Sequence, residues 1–356
     1  MKGSRRLFLI LSVAAATLAP ARAFAYSWPI FPFDKPHPVR GNFGDPRTIY
    51  FDNFEVGGFF GPGSFSFHNG VDIVAPGGTP VYPIASGIAR KLNGSGVAVD
   101  SADRVEFDYV HITPSVFDGQ YVVARKTILG RVHATSKHVH LTEIRGGHPR
   151  NPLAPTHLTP YFDTTRPRVT AIDFRRGERP LLGHEVCGTV GITAEAYDRP
   201  EIPAPGVWGT MPVTPAELVW HVGHRRGPAV VTPELAFDVR DREPLNGLFW
   251  DTYARGSYQN VPRFGRRQYL TLPGKFVFWL DRAFDTRKLE NGTYIVAARA
   301  TDTRGNVGAL TKRFTVENPC RAHPTPAPQS PPTSPWKPGR SSGRRSARHA
   351  DRRSRP

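Results

Sequence analysis

Three histidines and one aspartate in the first half of the chain have types and spacing that suit metal chemistry. His68 and Asp72 stand four residues apart in FHNGVDIVAPGG, on either side of a glycine. About seventy residues later, His138 and His140 alternate in HVHLTEI. Imidazole and carboxylate are ligands that zinc accepts, and a catalytic zinc takes three protein ligands with water in the fourth position. The pattern therefore indicates a zinc site with an open coordination position.

We predict that His68, Asp72 and His140 are the metal ligands. A bound zinc lowers the pKa of its water to about 7 and polarises a carbonyl group. His111 and His138 are then free to orient that water and to transfer protons. Taken singly, each residue also fits an ordinary structural role, as a surface histidine, a turn cap or a strand-end polar group. The joint pattern is what favours the metal site.

The elements that must position these residues are short strands joined by tight turns. Residues 105–111 alternate polar and apolar side chains, which predicts a half-buried strand ending at His111. Residues 137–144 place His138, His140 and Thr142 on one face of a strand. The Pro-Gly-Gly sequence at 76–78 is a turn signal. Because no strong helical period accompanies these strands, we predict a mainly β fold built on an antiparallel sheet.

A second series of period-2 segments begins at Asp163, at a spacing typical of a β-sandwich. Its clearest part is a hairpin, with strands at 294–300 and 309–316 around a turn at 302–306. Residues 241–270 are polar and aromatic and read as a long insertion. The predicted domains are 26–160 and 161–318. Residues 319–356 are rich in proline, serine and arginine, cannot bury a core, and are predicted to be disordered.

The two ends of the chain carry most of its net charge of +17. Residues 1–25 have a basic start, an apolar run and an Ala-Phe-Ala site, which predicts a cleaved secretory signal; an uncleaved anchor is the alternative. Charge confined to the ends argues against nucleic-acid binding. A basic tail suits an anionic envelope polymer or a membrane surface. We expect an exported protein, periplasmic or in the extracellular envelope, with no stable transmembrane segment.

The chain contains two cysteines, Cys187 and Cys320. In an exported protein such a pair can close a disulfide. Their separation in sequence is large, so the sequence leaves the pairing open. Neither cysteine stands in a context typical of a catalytic thiol.

The stretch FHNGVDIVAPGGTPVYPIASGIAR resembles the H-x-G-x-D signature of the lysostaphin/LytM-like zinc metallopeptidases. HVHLTEIRGGHPRNPL resembles the H-x-H strand of that family, and YVHITPSVFDGQYVVARKTILGRV resembles the segment with its isolated histidine. The likeness spans about residues 38–155. It implies that His68, Asp72 and His140 hold zinc and that His111 and His138 are catalytic. It also implies a grooved antiparallel sheet and cleavage of peptide bonds in bacterial peptidoglycan.

Three features depart from the family pattern. The turn before the H-x-H strand reads HATSK, shortened and without glycine; Lys137 stands where a small residue is usual; and Leu141-Thr142 replaces the aromatic residue after H-x-H. Asn42 is a candidate for the upstream asparagine that occupies the fourth zinc position in latent relatives. The second domain resembles bacterial immunoglobulin-like modules. The prediction is a zinc endopeptidase of peptidoglycan; the alternative is a non-catalytic peptidoglycan-binding or hydrolase-activator protein.

Overall fold

The strands that carry the predicted site residues lie in the first half of the chain. The computed structural model describes residues 25–48, 65–102, 104–225, 227–260 and 272–320. The predicted signal, apart from its last residue, and the predicted tail beyond Cys320 lie outside the described residues. The strands of the first half are β1 (Val39–Gly41), β2 (Pro46–Arg47), β3 (Ser66–Phe67), β4 (Val71–Val74), β5 (Pro80–Val81), β6 (Gly87–Leu92), β7 (Gly96–Ser101), β8 (Val105–Val110), β9 (Ile112–Pro114), β10 (Tyr121–Val122), β11 (Gly130–Val132), β12 (His138–Arg145) and β13 (His148–Arg150).

An antiparallel sheet is the frame of this half, with strand order β1-β4-β12-β8-β7-β6-β10 and β13 paired to β12. β8 alternates buried and half-buried residues as its sequence predicts. β12 lies inside the sheet, and its first six residues are buried. In the register of the sheet, His140 stands opposite Asp72 of β4 on one side and Val110 of β8 on the other. The predicted antiparallel, mainly β fold is confirmed.

The second half consists of two further sheets. Its elements are β14 (Arg168–Arg176), β15 (Arg179–Pro180), β16 (Glu185–Val186), β17 (Thr189–Tyr197), β18 (Glu217–Gly223), β19 (Ala229–Asp238), α1 (Phe249–Thr252), β20 (Val277–Asp285), β21 (Gly292–Thr301) and β22 (Val307–Val316), with 3-10 turns at Gly206–Thr210, Asn246–Leu248 and Thr286–Lys288. The sheet orders are β15-β14-β17-β20 and β16-β22-β21-β18-β19. β14 contacts β21 and β22 of the other sheet, so the two sheets are packed together.

Two sequence-level questions about this half are answered by the structure. The predicted hairpin is present, with β21 and β22 paired from Gly292–Val316 to Thr301–Val307. Cys187 and Cys320, 133 residues apart, form a disulfide. The short strand β16 pairs in parallel with β22, an exception to the antiparallel pattern. The immunoglobulin-like assignment stays a prediction. In the part of the chain that the structure describes, no helix is long and apolar enough to cross a membrane.

One hydrophobic core runs through both halves, from Trp28 to Val316. The predicted insertion contributes to this core, because Phe249 and Tyr253 are almost completely buried. Their rings lie 5.4 and 5.8 Å from the ring of Phe67, which directly precedes His68. The described residues up to Cys320 form one compact unit. The division into two domains near residue 160 stays a prediction, and the core that crosses this boundary couples the halves.

Hydrogen bonds to a buried carboxylate add to this junction. Asp45 is fully buried and accepts from the Asn42 N–H at 2.9 Å, the Thr214 N–H at 2.8 Å and the Gln259 Nε2 at 3.0 Å. Beside it, the Tyr253 hydroxyl donates to the Gly44 carbonyl at 2.8 Å. Buried polar groups of this kind are costly unless they are paired. The loop between β1 and β2 is thus held by donors from the second half.

The Tyr253 hydroxyl tests whether the two halves unfold together. Tyr253→Phe removes a buried hydrogen bond that joins the halves, so we expect the free energy of unfolding to fall by about 1–2 kcal/mol. Hydrogen exchange should show the same loss of protection in β12 and in β21, because coupled halves open as one unit. Tyr121→Phe, at a side chain 63% exposed, is the matched control without effect. Loss of protection in β21 alone would show two independent domains.

Three carboxylates meet at the same junction. Asp163, Asp198 and Asp302 are buried, and one oxygen atom of each lies within 4.8 Å of the others. Burial, reinforced by neighbouring carboxylates, raises the pKa of Asp198 to about 8 and that of Asp163 to about 6. In the folded state these two groups therefore bind protons more tightly than in the unfolded chain.

This cluster predicts a loss of stability as the pH rises. A carboxyl group whose folded pKa is raised stabilises the fold fully below its unfolded pKa, about 3.9, and this contribution disappears as the pH approaches the folded value. We therefore expect the free energy of unfolding of Asp198→Asn, measured relative to the wild type, to increase as the pH rises from 4 to 8. The increase should be at most about 1.4 kcal/mol per pH unit. Urea titrations in EDTA at several pH values measure the difference. A difference that does not change with pH would contradict the raised pKa.

Candidate metal centre

The three predicted ligands come from two paired strands and the turn that precedes one of them. Asp72 lies in β4 and His140 lies opposite it in β12. His68 directly precedes the turn into β4, and Gly70 makes this turn possible. A Cβ at Gly70 would lie 2.3 Å from the Leu141 carbonyl oxygen and 2.8 Å from the His140 Nε2. Only glycine allows such a close approach of the turn to β12.

The donor atoms of these residues converge. His68 Nε2 lies 2.8 Å from His140 Nδ1, and Asp72 Oδ1 lies 3.2 Å from the former and 3.1 Å from the latter. Zinc bonds of about 2.0 Å in tetrahedral geometry place neighbouring donors about 3.3 Å apart. The three distances therefore match, to within about 0.5 Å, one face of a tetrahedral zinc site.

Hydrogen bonds on the far side of each imidazole are compatible with the tautomers that bind metal. His68 Nδ1 donates to the Asn42 carbonyl at 2.7 Å. His140 Nε2 lies 2.8 Å from Thr142 Oγ1 and donates to it in the matching tautomer. The opposite nitrogens, His68 Nε2 and His140 Nδ1, then carry lone pairs. Two nitrogen lone pairs and a carboxylate oxygen at these distances repel one another unless a cation lies between them, so the donor set fits a metal ion.

The electrostatics of the centre keep the donors in the states that bind metal. Burial, with Arg47 nearby, lowers the pKa of His68 to about 3, so its imidazole is neutral at pH 7. Burial would raise the pKa of Asp72, but the neighbouring His68 and Arg47 hold it well below its ordinary value. Arg47 Nη2 donates to Asp72 Oδ2 at 2.9 Å. Asp72 is therefore a carboxylate that offers Oδ1 to the site while Oδ2 is occupied.

The two predicted catalytic histidines lie beside the donors. His138 Nδ1 donates to the Ser136 carbonyl at 2.7 Å, which directs its Nε2 toward Asp72 Oδ1 at 3.5 Å. The ring centroid of His111 is 4.4 Å from that of His138 and 6.4 Å from that of His140. The structure thus brings all five predicted residues together.

His111 has an unusual backbone conformation. It ends β8 with a φ of +67°, a region that residues with a side chain adopt at a cost. The His133 N–H donates to the His111 carbonyl at 2.9 Å and holds this conformation. A half-buried histidine kept in a left-handed conformation is typical of a functional position.

Several residues at the centre escaped the sequence analysis. Thr142 was placed on the same strand face as His140, but its hydrogen bond to that ring was not predicted. Arg47 carried no local signal. Gln259, whose side chain contacts Arg47, belongs to the predicted insertion. Sequence alone offers no pattern for a contact across 212 residues.

Asn42 and Lys137, which the sequence analysis singled out, make backbone hydrogen bonds near the site. Asn42 supports the site through its backbone carbonyl, which accepts from His68, while its side-chain Nδ2 lies 3.5 Å from the Thr214 carbonyl. Lys137 has a φ of +53°, a conformation that glycine adopts more easily. Its carbonyl accepts from the Ala75 N–H at 3.2 Å. The turn before β12 is therefore built without glycine and still reaches β4.

Comparison with known proteins gives weak likenesses. The chain matches no protein-family model, and no curated protein matches it. Similar solved structures include the SpoIIQ–SpoIIIAH pore-forming complex, with 19% identity over 37% of this chain and 90% of that one, at a TM-score of 0.29. A mutant catalytic domain of the prophage-encoded M23 protein EnpA from Enterococcus faecalis shares 24% sequence identity over 36% of this chain and 95% of that one, at a TM-score of 0.25. The deep-sea M23 metalloprotease Pseudoalterin shares 16% sequence identity over 44% of this chain and 94% of that one, at a TM-score of 0.24. Likenesses at these scores support no conclusion about activity.

Metal binding by single variants tests the donor set. We expect the wild type to hold about one zinc ion per chain, and His68→Ala, Asp72→Ala and His140→Ala to lose it because each removes a donor. His111→Ala and His138→Ala should retain zinc. Arg47→Met should weaken zinc binding by about 10- to 100-fold, because Arg47 orients Asp72 without touching the ion.

Competition with a chromophoric chelator measures these affinities, and circular dichroism checks the fold of each variant. Arg131→Met, at an exposed arginine away from the donors, is the control for Arg47→Met. Zinc retained by all three donor variants would exclude the site.

Proposed function

We propose that the chain is a zinc-dependent endopeptidase that cleaves peptide bonds in bacterial peptidoglycan. The observation that carries this proposal is the convergence of His68, Asp72 and His140 at tetrahedral spacing, with His111 and His138 beside them. Three donors leave one coordination position open, as in catalytic rather than structural zinc sites. Bound zinc supplies a Lewis acid for the scissile carbonyl and lowers the pKa of its water.

The chain's own residues supply the proton transfers. His138 is held by Ser136 with the Nε2 lone pair directed to the site, so it can accept a proton from the attacking water. Burial lowers the pKa of His138 to about 3 and that of His111 to about 4. Both rings are therefore neutral at pH 7 and keep an unprotonated ring nitrogen. His111, next to His138, is placed to hold the developing charge or to return the proton to the leaving amine.

The substrate class rests on the sequence. The resemblance over residues 38–155 implies peptidoglycan, and the predicted export signal would deliver the chain to the envelope. The basic tail suits anionic envelope polymers, which would keep the protein near the wall. The second half, proposed as an immunoglobulin-like module, is joined to the site through Gln259 and Arg47.

Digestion of purified peptidoglycan tests the activity. The zinc-loaded protein should release peptide fragments with new amino termini, identified by mass spectrometry. His138→Ala should lower the rate by about 10²- to 10⁴-fold, as loss of a general base does, while zinc content stays at the wild-type level.

His111→Asn provides a second test, since asparagine tolerates the left-handed backbone and the variant should fold normally but cleave slowly. Intact muropeptides after incubation with fully loaded wild type would favour the alternative, a non-catalytic peptidoglycan-binding or activator protein. Pull-down with insoluble peptidoglycan would then distinguish that protein from one unrelated to the wall.

A further inference from the structure

A second arginine, Arg40, lies at the centre beside His138. Arg40 belongs to β1, and its Nη2 lies 3.5 Å from the His138 Nε2. Its guanidinium stacks on the ring of Trp208, with Cζ 4.2 Å from the ring centroid. Trp208 lies in the 3-10 turn Gly206–Thr210 of the second half. The stacking presents the guanidinium edge, with its donors in a fixed plane, beside a proposed catalytic histidine.

Among the described residues, Arg40 has no anionic partner of its own. Whereas Arg47 is paired with Asp72 at 2.9 Å, no carboxylate of the described residues forms a salt bridge with Arg40. Its Nε is buried and has no hydrogen-bond partner within the same described ranges. A half-buried guanidinium with unused donors is unfavourable unless an anion completes it. Planar, bidentate recognition of a carboxylate is what arginine does best.

The position of Arg40 limits where such an anion can stand in a substrate. His138 Nε2 is 3.5 Å from Arg40 Nη2 and also 3.5 Å from Asp72 Oδ1, so Arg40 Nη2 is at most about 7 Å from this proposed metal donor. One residue of extended chain spans about 3.3–3.6 Å. An anion at Arg40 therefore belongs to a residue within about two positions of the scissile bond. On the leaving-amine side, an α-carboxylate is separated from the scissile nitrogen by a single carbon atom.

We propose that Arg40, stacked on Trp208, binds a free carboxylate on the substrate residue that supplies the leaving amine. This inference rests on the proposed peptidase function and narrows its substrates to peptides that carry an anion next to the cleaved bond. Arg40 is a specificity-determining residue, and Trp208 is a positioning residue that holds the Arg40 guanidinium beside His138. The second half of the chain thereby contributes to substrate choice.

A matched pair of substrates tests the subsite. The two peptides are identical except that the residue on the amine side carries either a free α-carboxylate or a carboxamide. The wild type should prefer the carboxylate form by about 10- to 100-fold in kcat/KM, as expected for charge-assisted hydrogen bonds. Arg40→Gln should reduce this ratio to near 1. Arg40→Lys should retain only part of it, because an ammonium lacks the planar fork.

The control is Arg168→Gln, at an exposed arginine of β14, which should keep the wild-type ratio. Binding is measured in parallel by calorimetry, with non-cleavable analogues of both peptides in which a methylene replaces the scissile carbonyl. A carboxylate preference in binding, lost in Arg40→Gln, supports the subsite even if neither peptide is hydrolysed, in which case only the peptidase proposal fails. Equal binding and equal cleavage of the two forms by the wild type, or a preference that survives in Arg40→Gln, overturns the subsite.

Discussion

The register between β4 and β12 is the constraint on which the centre depends. His140 lies opposite Asp72 in this pair, and the donors of both residues point to the same side of the sheet. A shift by one residue would exchange the two faces of β12. Val139 or Leu141 would then replace His140, and methyl groups would stand where a nitrogen lone pair is needed. Because the first six residues of β12 are buried, such a slip would also turn the histidines toward apolar packing, so packing and metal chemistry favour the same register.

The site is held from outside the sheet as well. Asp72 accepts a hydrogen bond from Arg47. The side chain of Arg47 also contacts Gln259, and Gln259 donates a hydrogen bond to Asp45. This chain of contacts links the proposed ligand to the second half through buried polar groups. Removing a single partner would leave a buried charge or donor unpaired, which is more costly than the bond itself is favourable. The two halves are therefore coupled where the chemistry is proposed to occur, and the aromatic core around Tyr253 lies directly beneath.

The charges around the centre have distinct tasks. Burial keeps His68, His111 and His138 neutral, with pKa values of about 3, 4 and 3, which suits ligands and bases rather than cations. The two arginines differ in their partners. Arg47 is paired with Asp72, while Arg40 stacks on Trp208 and has no carboxylate partner within the described ranges. The first stabilises the resting site, and the second is available to a ligand.

Much of the frame could be predicted from local patterns. The alternation in residues 105–111 and 137–144 identified two strands of the main sheet, and the hairpin of β21 and β22 was visible from its turn residues, because side-chain periodicity is a property of neighbouring residues. The five residues at the centre could be named from their chemical types and order, and the structure brings them together. The parts that escaped were the outer partners: the insertion as the source of Gln259 and Tyr253, Trp208 beneath Arg40, and the pairing of Cys187 with Cys320.

The sequence by itself determined the strands, the donor types and their alternation, since each depends on residues a few positions apart. Only the tertiary structure decided which groups surround them. Arg47 and Gln259 meet across 212 residues, and Asp45 and Thr214 meet across 169. Such contacts leave no periodic trace in a single sequence, because they depend on how two sheets and a buried insertion pack in three dimensions.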